Sequence, residues 1–229
     1  MPFDEERLKI FLQTLDVDLF GFACMDDYDS KLVGIENEIK LSLPYAISIG
    51  IRLSKGVLAT VKDGPNLLYY HHYRQVNMSL DSIATKIARK LEQEGFMACA
   101  FPASQIVDWK KQCGHISHKK VASLAGLGWI GRNNLLVNER YGSQVRYTTI
   151  LTNMPLSRNT VKNFGCKECT ACLSVCPSGA IRMDPKDFDH IGCYNKITEM
   201  KNKRNIGQHI CGICVEACRG EPQSTLTGT

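Results

Sequence analysis

The spacing of apolar positions changes along the chain, and each spacing predicts an element. Leu8, Phe11, Leu12 and Leu15 recur at helical intervals behind Asp4, a good N-cap, with Glu5 and Glu6 in the first turn, where the helix dipole favours acid. A strand is predicted next, at about 17–23. Ile47, Ile49, Ile51 and Leu53 then alternate with Ser48, Gly50 and Arg52, a period of two that predicts a half-buried strand whose far face meets something small or polar. From Asn77 as cap, Leu80, Ile83, Ala84, Ile87, Ala88 and Leu91 trace one apolar stripe, and Gly95 supplies a left-handed stop.

The short apolar run 96–101, closed by Pro102, predicts another strand, and Ser117–Ala125 a helix. The stretches 135–137 and 145–151 read as a hairpin turning near Tyr141-Gly142. Helices and strands alternate and then strands pair locally, which predicts an α+β fold with a mixed sheet rather than a doubly wound parallel one. After Asn153-Met154-Pro155 the texture changes to cysteines with short helical pieces between them. The expected domains are therefore 1–157 and 158–229.

Composition narrows the class. With 44% hydrophobic and 22% charged residues, 8 Pro and 18 Gly, the 229-residue chain reads as an ordinary globular protein of one large or two modest domains. No apolar run reaches the roughly 18 residues that a bilayer span requires. The opening Met1-Pro2-Phe3-Asp4-Glu5-Glu6 is acidic where an export signal would be basic and then apolar. A cytoplasmic protein with no membrane partner is expected.

Eight of the eleven cysteines lie from Cys166 onward. In a reducing compartment such a concentration points to metal rather than disulfides. Cys166, Cys169, Cys172 and Cys176-Pro177 form C-x₂-C-x₂-C-x₃-C-P, the run of two-cluster bacterial ferredoxins, whose fourth cysteine ligates the other cluster. Cys211, Cys214 and Cys218 lack one member of the same pattern, and Cys193 can supply it. The assignment then closes: Cys166, Cys169, Cys172 and Cys218 for one [4Fe–4S] cluster, Cys176, Cys193, Cys211 and Cys214 for the other. The competing reading is a pair of Zn(Cys)₄ sites, although zinc knuckles generally need two C-x₂-C pairs. The net charge of +5 is a weak pointer to nucleic acid, and two oxidised clusters with their thiolates would bring it to roughly +1.

The stretch Ala122-Ser-Leu-Ala-Gly-Leu-Gly-Trp-Ile-Gly-Arg-Asn-Asn-Leu-Leu136 resembles the segment that precedes the cluster domain in epoxyqueuosine reductases, and Cys193-Tyr194 between the two cysteine groups extends the likeness. The resemblance covers most of 44–218 and is strongest from Ala122. It implies an N-terminal corrinoid-binding domain, similar also to the core of reductive dehalogenases, and a ferredoxin-like domain with two [4Fe–4S] clusters whose nearer cluster delivers electrons to cobalt. On this reading Gly126, Gly128, Trp129, Gly131, Arg132, Asn133 and Asn134 would bind the cofactor, the glycines allowing close backbone approach. Taken alone, the same glycines read as a tight turn packed on the sheet.

The chain departs from the family in two places. The family's run resembling Asp-x-x-Pro-Val, whose aspartate is the proposed proton donor, is replaced by Gln112-Cys113-Gly114-His115-Ile116, and the family's helical-repeat extension has no counterpart before Thr229. Reduction of epoxyqueuosine in tRNA, and any specific nucleic-acid partner, are therefore not expected. Cys113, His115 and His118 could form a metal site or an acid/base group, with His115 as a catalytic donor in place of the missing acid; the alternative is a loop and helix start with His118 solvated. Tyr69-Tyr70-His71-His72-Tyr73-Arg74 precedes the long helix, and Tyr70, His71 and Arg74 suit stacking on a flat macrocycle and pairing with its polar groups, or simply core packing. Cys24 and Cys99 read as buried small hydrophobes. The function expected is a corrinoid-dependent iron–sulfur reductase of a small molecule. The alternatives are a ferredoxin-type electron carrier or activator for a partner protein, and a flavin-dependent reductase on the same sheet.

Overall fold

In the computed structural model, residues 3–220 are described, and along them run α1 (Glu5–Gln13), β1 (Leu19–Cys24), α2 (Asn37–Ser42), β2 (Tyr45–Arg52), α3 (Lys55–Leu58), α4 (Leu67–Gln93) and β3 (Ala98–Phe101). There follow α5 (His118–Leu124), β4 (Trp129–Ile130), β5 (Leu136–Val137), β6 (Val145–Thr152), α6 (Ala171–Ser174), α7 (His190–Lys203) and α8 (Ile213–Ala217). The chain divides into two compact units that interleave in sequence. Unit one comprises residues up to 52, 73–128 and 146–163; unit two comprises 53–72, 129–145 and everything from 164.

Unit one is built on a four-stranded sheet of order β1-β2-β6-β3, in which β1 runs antiparallel to β2 and β3 to β6. Asp4 starts α1 as expected, its carboxylate accepting from Arg7 N at 3.0 Å, and Leu8 and Leu12 are buried beneath it. The alternation in β2 holds, yet the strand is not half-buried: Ser48 is as fully buried as Ile47 and Ile49. Its small far face has a physical purpose. Gly21 pairs with Ser48, and a Cβ on Gly21 would collide with Ala125 O, so this glycine-and-serine face lets the end of α5 lie close on the sheet. The hydroxyl of Ser48 finds no hydrogen-bond partner there among the described residues.

The long helix begins ten residues before the expected Asn77. Asn66 Oδ1 accepts from Tyr69 N at 2.8 Å and caps it, so the aromatic–histidine run lies within α4 rather than before it. Gly95, at φ +88°, stops the helix as expected. The predicted hairpin does not form. Strand β5 pairs with β4, while β6 joins the sheet of unit one; the turn at 138–142 closes on itself through paired Asn138–Gly142 backbone bonds of 2.8 Å.

Unit two consists of short helices and loops around the cysteines. Asp189 caps α7, accepting from Gly192 N at 2.8 Å, and α6 packs on α8. Segment 53–72 is fastened here by Arg204, which pairs with Asp63 at 2.8 Å and donates to Pro65 O at 3.4 Å. The ring of Tyr69 lies against Gly212, and the hydroxyl of Tyr70 against Gly207. Among the described residues no helix is long and apolar enough to cross a membrane.

Candidate metal centre

All eight C-terminal cysteines belong to unit two. The loop from Cys166 folds tightly, with Cys169 N donating to Cys166 O at 2.7 Å; Cys172 sits on α6, and Cys176 N donates to Leu173 O at 3.3 Å as the chain leaves that helix. Cys193 lies on α7 and Cys214 on α8, with Cys211 before that helix and Cys218 at its end. The charges these thiols feel group them mainly into two sets, with Cys172 and Cys214 interacting across them. Cys172 is influenced by Cys218, Cys166 and Cys169, and Cys218 by Cys166 and Cys169. Cys193 is influenced by Cys211 and Cys176, and Cys214 by Cys211, Cys193, Cys172 and Cys176.

Burial and then this mutual repulsion push Cys172 and Cys193 up to about 11 and Cys214 well above the ordinary thiol range. Thiols so placed resist ionising together unless a cation offsets their charge, which is the condition a metal cluster meets. Cys176 goes the other way: burial would push it up, but the Ser178 hydroxyl at 3.4 Å and the amides of Ile181, Ser178 and Ala180 hold it below its usual value. Among the described residues no three of His, Cys, Asp and Glu converge as ligands of one metal ion, Cys113, His115 and His118 included. A cubane does not ask for that convergence, because each thiolate binds its own iron.

The glycine-rich motif is put to uses that its sequence does not announce. Gly126, at φ +71°, is the residue that ends α5: Leu127 N reaches back to Ala122 O at 3.0 Å, and a Cβ at Gly126 would lie 2.6 Å from Thr160 O. Gly128 O accepts from Ser123 Oγ at 3.4 Å. From Trp129 on, the motif belongs to unit two. The indole N–H of Trp129 donates to Cys166 Sγ at 3.3 Å, and its ring covers Gly165. Arg132, 5% exposed, donates Nη2 to Lys167 O at 2.6 Å, Nη1 to Cys169 O at 2.8 Å and Nε to Met183 O at 2.7 Å, and its guanidinium lies over Phe164. Asn133 Nδ2 donates to Ser143 Oγ at 3.0 Å, and Asn134 takes a left-handed conformation at φ +58°.

The residues expected to cradle a corrinoid are divided between the two units. Arg74, Gly126 and Gly128 fall in unit one, Tyr70, His71 and Trp129–Asn134 in unit two, and His71 and Arg74 are exposed on α4. The expected acid/base group is also rearranged. His115 Nδ1 is bonded to Val33 O at 2.8 Å, and because a carbonyl only accepts, Nδ1 carries the proton. His118 is not solvated: its ring is enclosed between Thr149 Oγ1 at 2.9 Å and Pro102 O at 3.0 Å, and burial pushes it down to about 4. Ser117 precedes α5 but its side chain does not cap it; its amide donates to Tyr28 Oη at 3.0 Å. Cys24 is buried as expected, and Cys99 is half-buried.

Ser143 and Ser178, the hydroxyls beside Cys218 and Cys176, went unmarked in the sequence. Ser178, two residues after a ligand and following Cys-Pro, carries a local signal; Ser143, seventy-five residues from Cys218, carries none.

No family model matches the chain. The fold is that of two kinds of reductase: a catabolic reductive dehalogenase superposes with a TM-score of 0.72 at 20% identity, covering 93% of this chain and 31% of that one. The epoxyqueuosine reductase of Streptococcus thermophilus superposes with a TM-score of 0.65 at 20% identity, covering 96% and 68%. In sequence, the epoxyqueuosine reductase of Bacillus subtilis is 29% identical over a 254-residue alignment, which covers 93% of this chain and 62% of that protein. The chain is similar in sequence to epoxyqueuosine reductases over most of its length, and it spans less than two thirds of these curated relatives, 23% of the Listeria monocytogenes enzyme in a 34%-identical match. A further epoxyqueuosine reductase structure, with a TM-score of 0.63, holds a tRNA stem loop.

Proposed function

We propose that the chain is a corrinoid-dependent iron–sulfur reductase of a small molecule. Cys166, Cys169, Cys172 and Cys218 would hold one [4Fe–4S] cluster, and Cys176, Cys193, Cys211 and Cys214 the other. The observation that carries this reading is the gathering of all eight cysteines in unit two, where Cys172 and Cys218 interact with Cys166 and Cys169, and Cys193 and Cys214 with Cys211 and Cys176. Bound there, the clusters supply one-electron transfer. The chain's own contribution is to gather the thiolates in unit two and hold the Cys166 loop by Arg132. The similarity to epoxyqueuosine reductases and to a reductive dehalogenase supports reduction as the reaction class.

A corrinoid as the electron acceptor is supported by that similarity alone. The second reading, supported by the cysteine spacing itself, is a ferredoxin-type carrier or activator for a partner protein. Anaerobic purification, extraction of bound cofactor and titration with cobalamin separate the two. A changed visible spectrum and corrinoid retained through gel filtration support the reductase; neither leaves the carrier ahead.

The relative crystallised with a tRNA stem loop weighs against the expectation that no specific nucleic acid is bound. The small-molecule reading retains one support, the glutamine at position 112 where the family has its acid; Gln112 is in a left-handed turn at φ +52°. The loop's carboxylate, Asp108, accepts from Lys111 N at 2.9 Å. Turnover on epoxyqueuosine-containing tRNA would overturn the small-molecule reading.

A further inference from the structure

We infer that the segment Trp129–Gln144 positions and tunes the cluster held by Cys166, Cys169, Cys172 and Cys218, an inference that rests on the two-cluster reading above. The segment aims two hydrogen-bond donors at two sulfurs of that one set. The first is the indole N–H of Trp129, 3.3 Å from Cys166 Sγ, an atom that can only donate. The second is the hydroxyl of Ser143, set beside the Cys218 thiol by the Ser143 amide, which donates to Cys218 O at 3.2 Å. Its direction is fixed by a third residue: Asn133 Nδ2 donates to Ser143 Oγ at 3.0 Å, which occupies a lone pair and leaves the serine's own proton for Cys218. Both Asn133 and Ser143 are buried, so water does not compete for these groups.

The same segment holds the ligand loop in place. Arg132 ties down the carbonyls of Lys167 and Cys169, which lie between the first three cysteines of the set, and that of Met183 beyond them. Gly131 permits the approach: a Cβ there would lie 2.5 Å from Val137 Cγ2 and 3.5 Å from Cys166 Sγ. Gln144 completes the fastening, its Nε2 donating to Glu216 O at 2.9 Å on α8, two residues before Cys218.

Reduction adds one electron to a cluster and makes or breaks no bond. Donors aimed at the sulfurs stabilise the added negative charge and raise that cluster's potential. Trp129 and Ser143 thus act on one cluster through its sulfurs, and Ser178, 3.4 Å from Cys176 Sγ, acts on the other.

The test is an EPR-monitored redox titration of the full chain with both clusters loaded. The signal altered in Cys218→Ser identifies the first cluster. Trp129→Phe, which keeps the ring over Gly165 but removes the N–H, and independently Ser143→Ala, should each lower the midpoint of that cluster and leave the other unmoved, while Ser178→Ala should do the reverse. Unchanged iron and sulfide content with both midpoints unmoved in Trp129→Phe and Ser143→Ala overturns the inference and leaves the two-cluster reading standing. Wild-type protein that takes up neither iron nor sulfide overturns both.

Discussion

Arg132 Nη1 donates to Cys169 O at 2.8 Å, joining the end of a glycine-rich motif to a cysteine loop 37 residues away. With its bonds to Lys167 O and Met183 O, the buried guanidinium spends all its named hydrogen bonds on main-chain carbonyls. Arg132→Ala should therefore destabilise the fold against denaturant by about 2–4 kcal/mol, the loss of several charge-assisted bonds. Arg132→Lys should recover only part, because an ammonium lacks the fork that spans three acceptors. A midpoint unchanged in both variants would contradict this account.

The first helix and the left-handed stop at Gly95 were legible because each depends on neighbours in sequence: a cap and a turn. What was not legible depends on distance. The motif around Trp129 has the glycine content of a cofactor loop, and only the fold shows its Trp and Arg turned toward cysteines 37 residues on. The start of α4 was missed because Tyr69–Arg74 lacks the apolar stripe; Asn66 after Pro65 was the available cap signal. The buried far face of β2 follows from the fit of Gly21 under Ala125, which no pattern within the strand encodes.

His118 makes stability depend on acid. Burial holds its ring neutral down to about 4, whereas an unfolded histidine titrates near 6.5. Between these values the unfolded chain binds a proton that the fold refuses, so stability should fall by about 3 kcal/mol as pH drops from about 6.5 to about 4, with no contribution above that window. Denaturant titrations across this range should show a shallower fall in His118→Gln, which can still meet Thr149 and Pro102. Parallel slopes in the two proteins would contradict the assignment.

Tyr147 Oη is buried without a hydrogen-bond partner among the described residues, and burial pushes its phenol far up. Removing an unpaired buried hydroxyl removes a cost rather than a contact. Tyr147→Phe should leave thermal stability unchanged or raise it by up to about 1 kcal/mol. A loss of more than that would mean the hydroxyl is partnered.

The crossed ligand assignment makes its own prediction. Cys218 feels Cys166 and Cys169, not Cys211 or Cys214, its neighbours along the chain. Cys218→Ala should therefore damage the cluster of the Cys166 set, with loss of about half the iron. Spectroscopy showing loss of the other cluster would reverse the assignment.

The central claim is that eight thiolates hold two cubanes. Iron, zinc and acid-labile sulfide should be measured on the anaerobically purified chain. The account predicts about eight irons and eight sulfides per chain; about two zinc ions with no sulfide would contradict it.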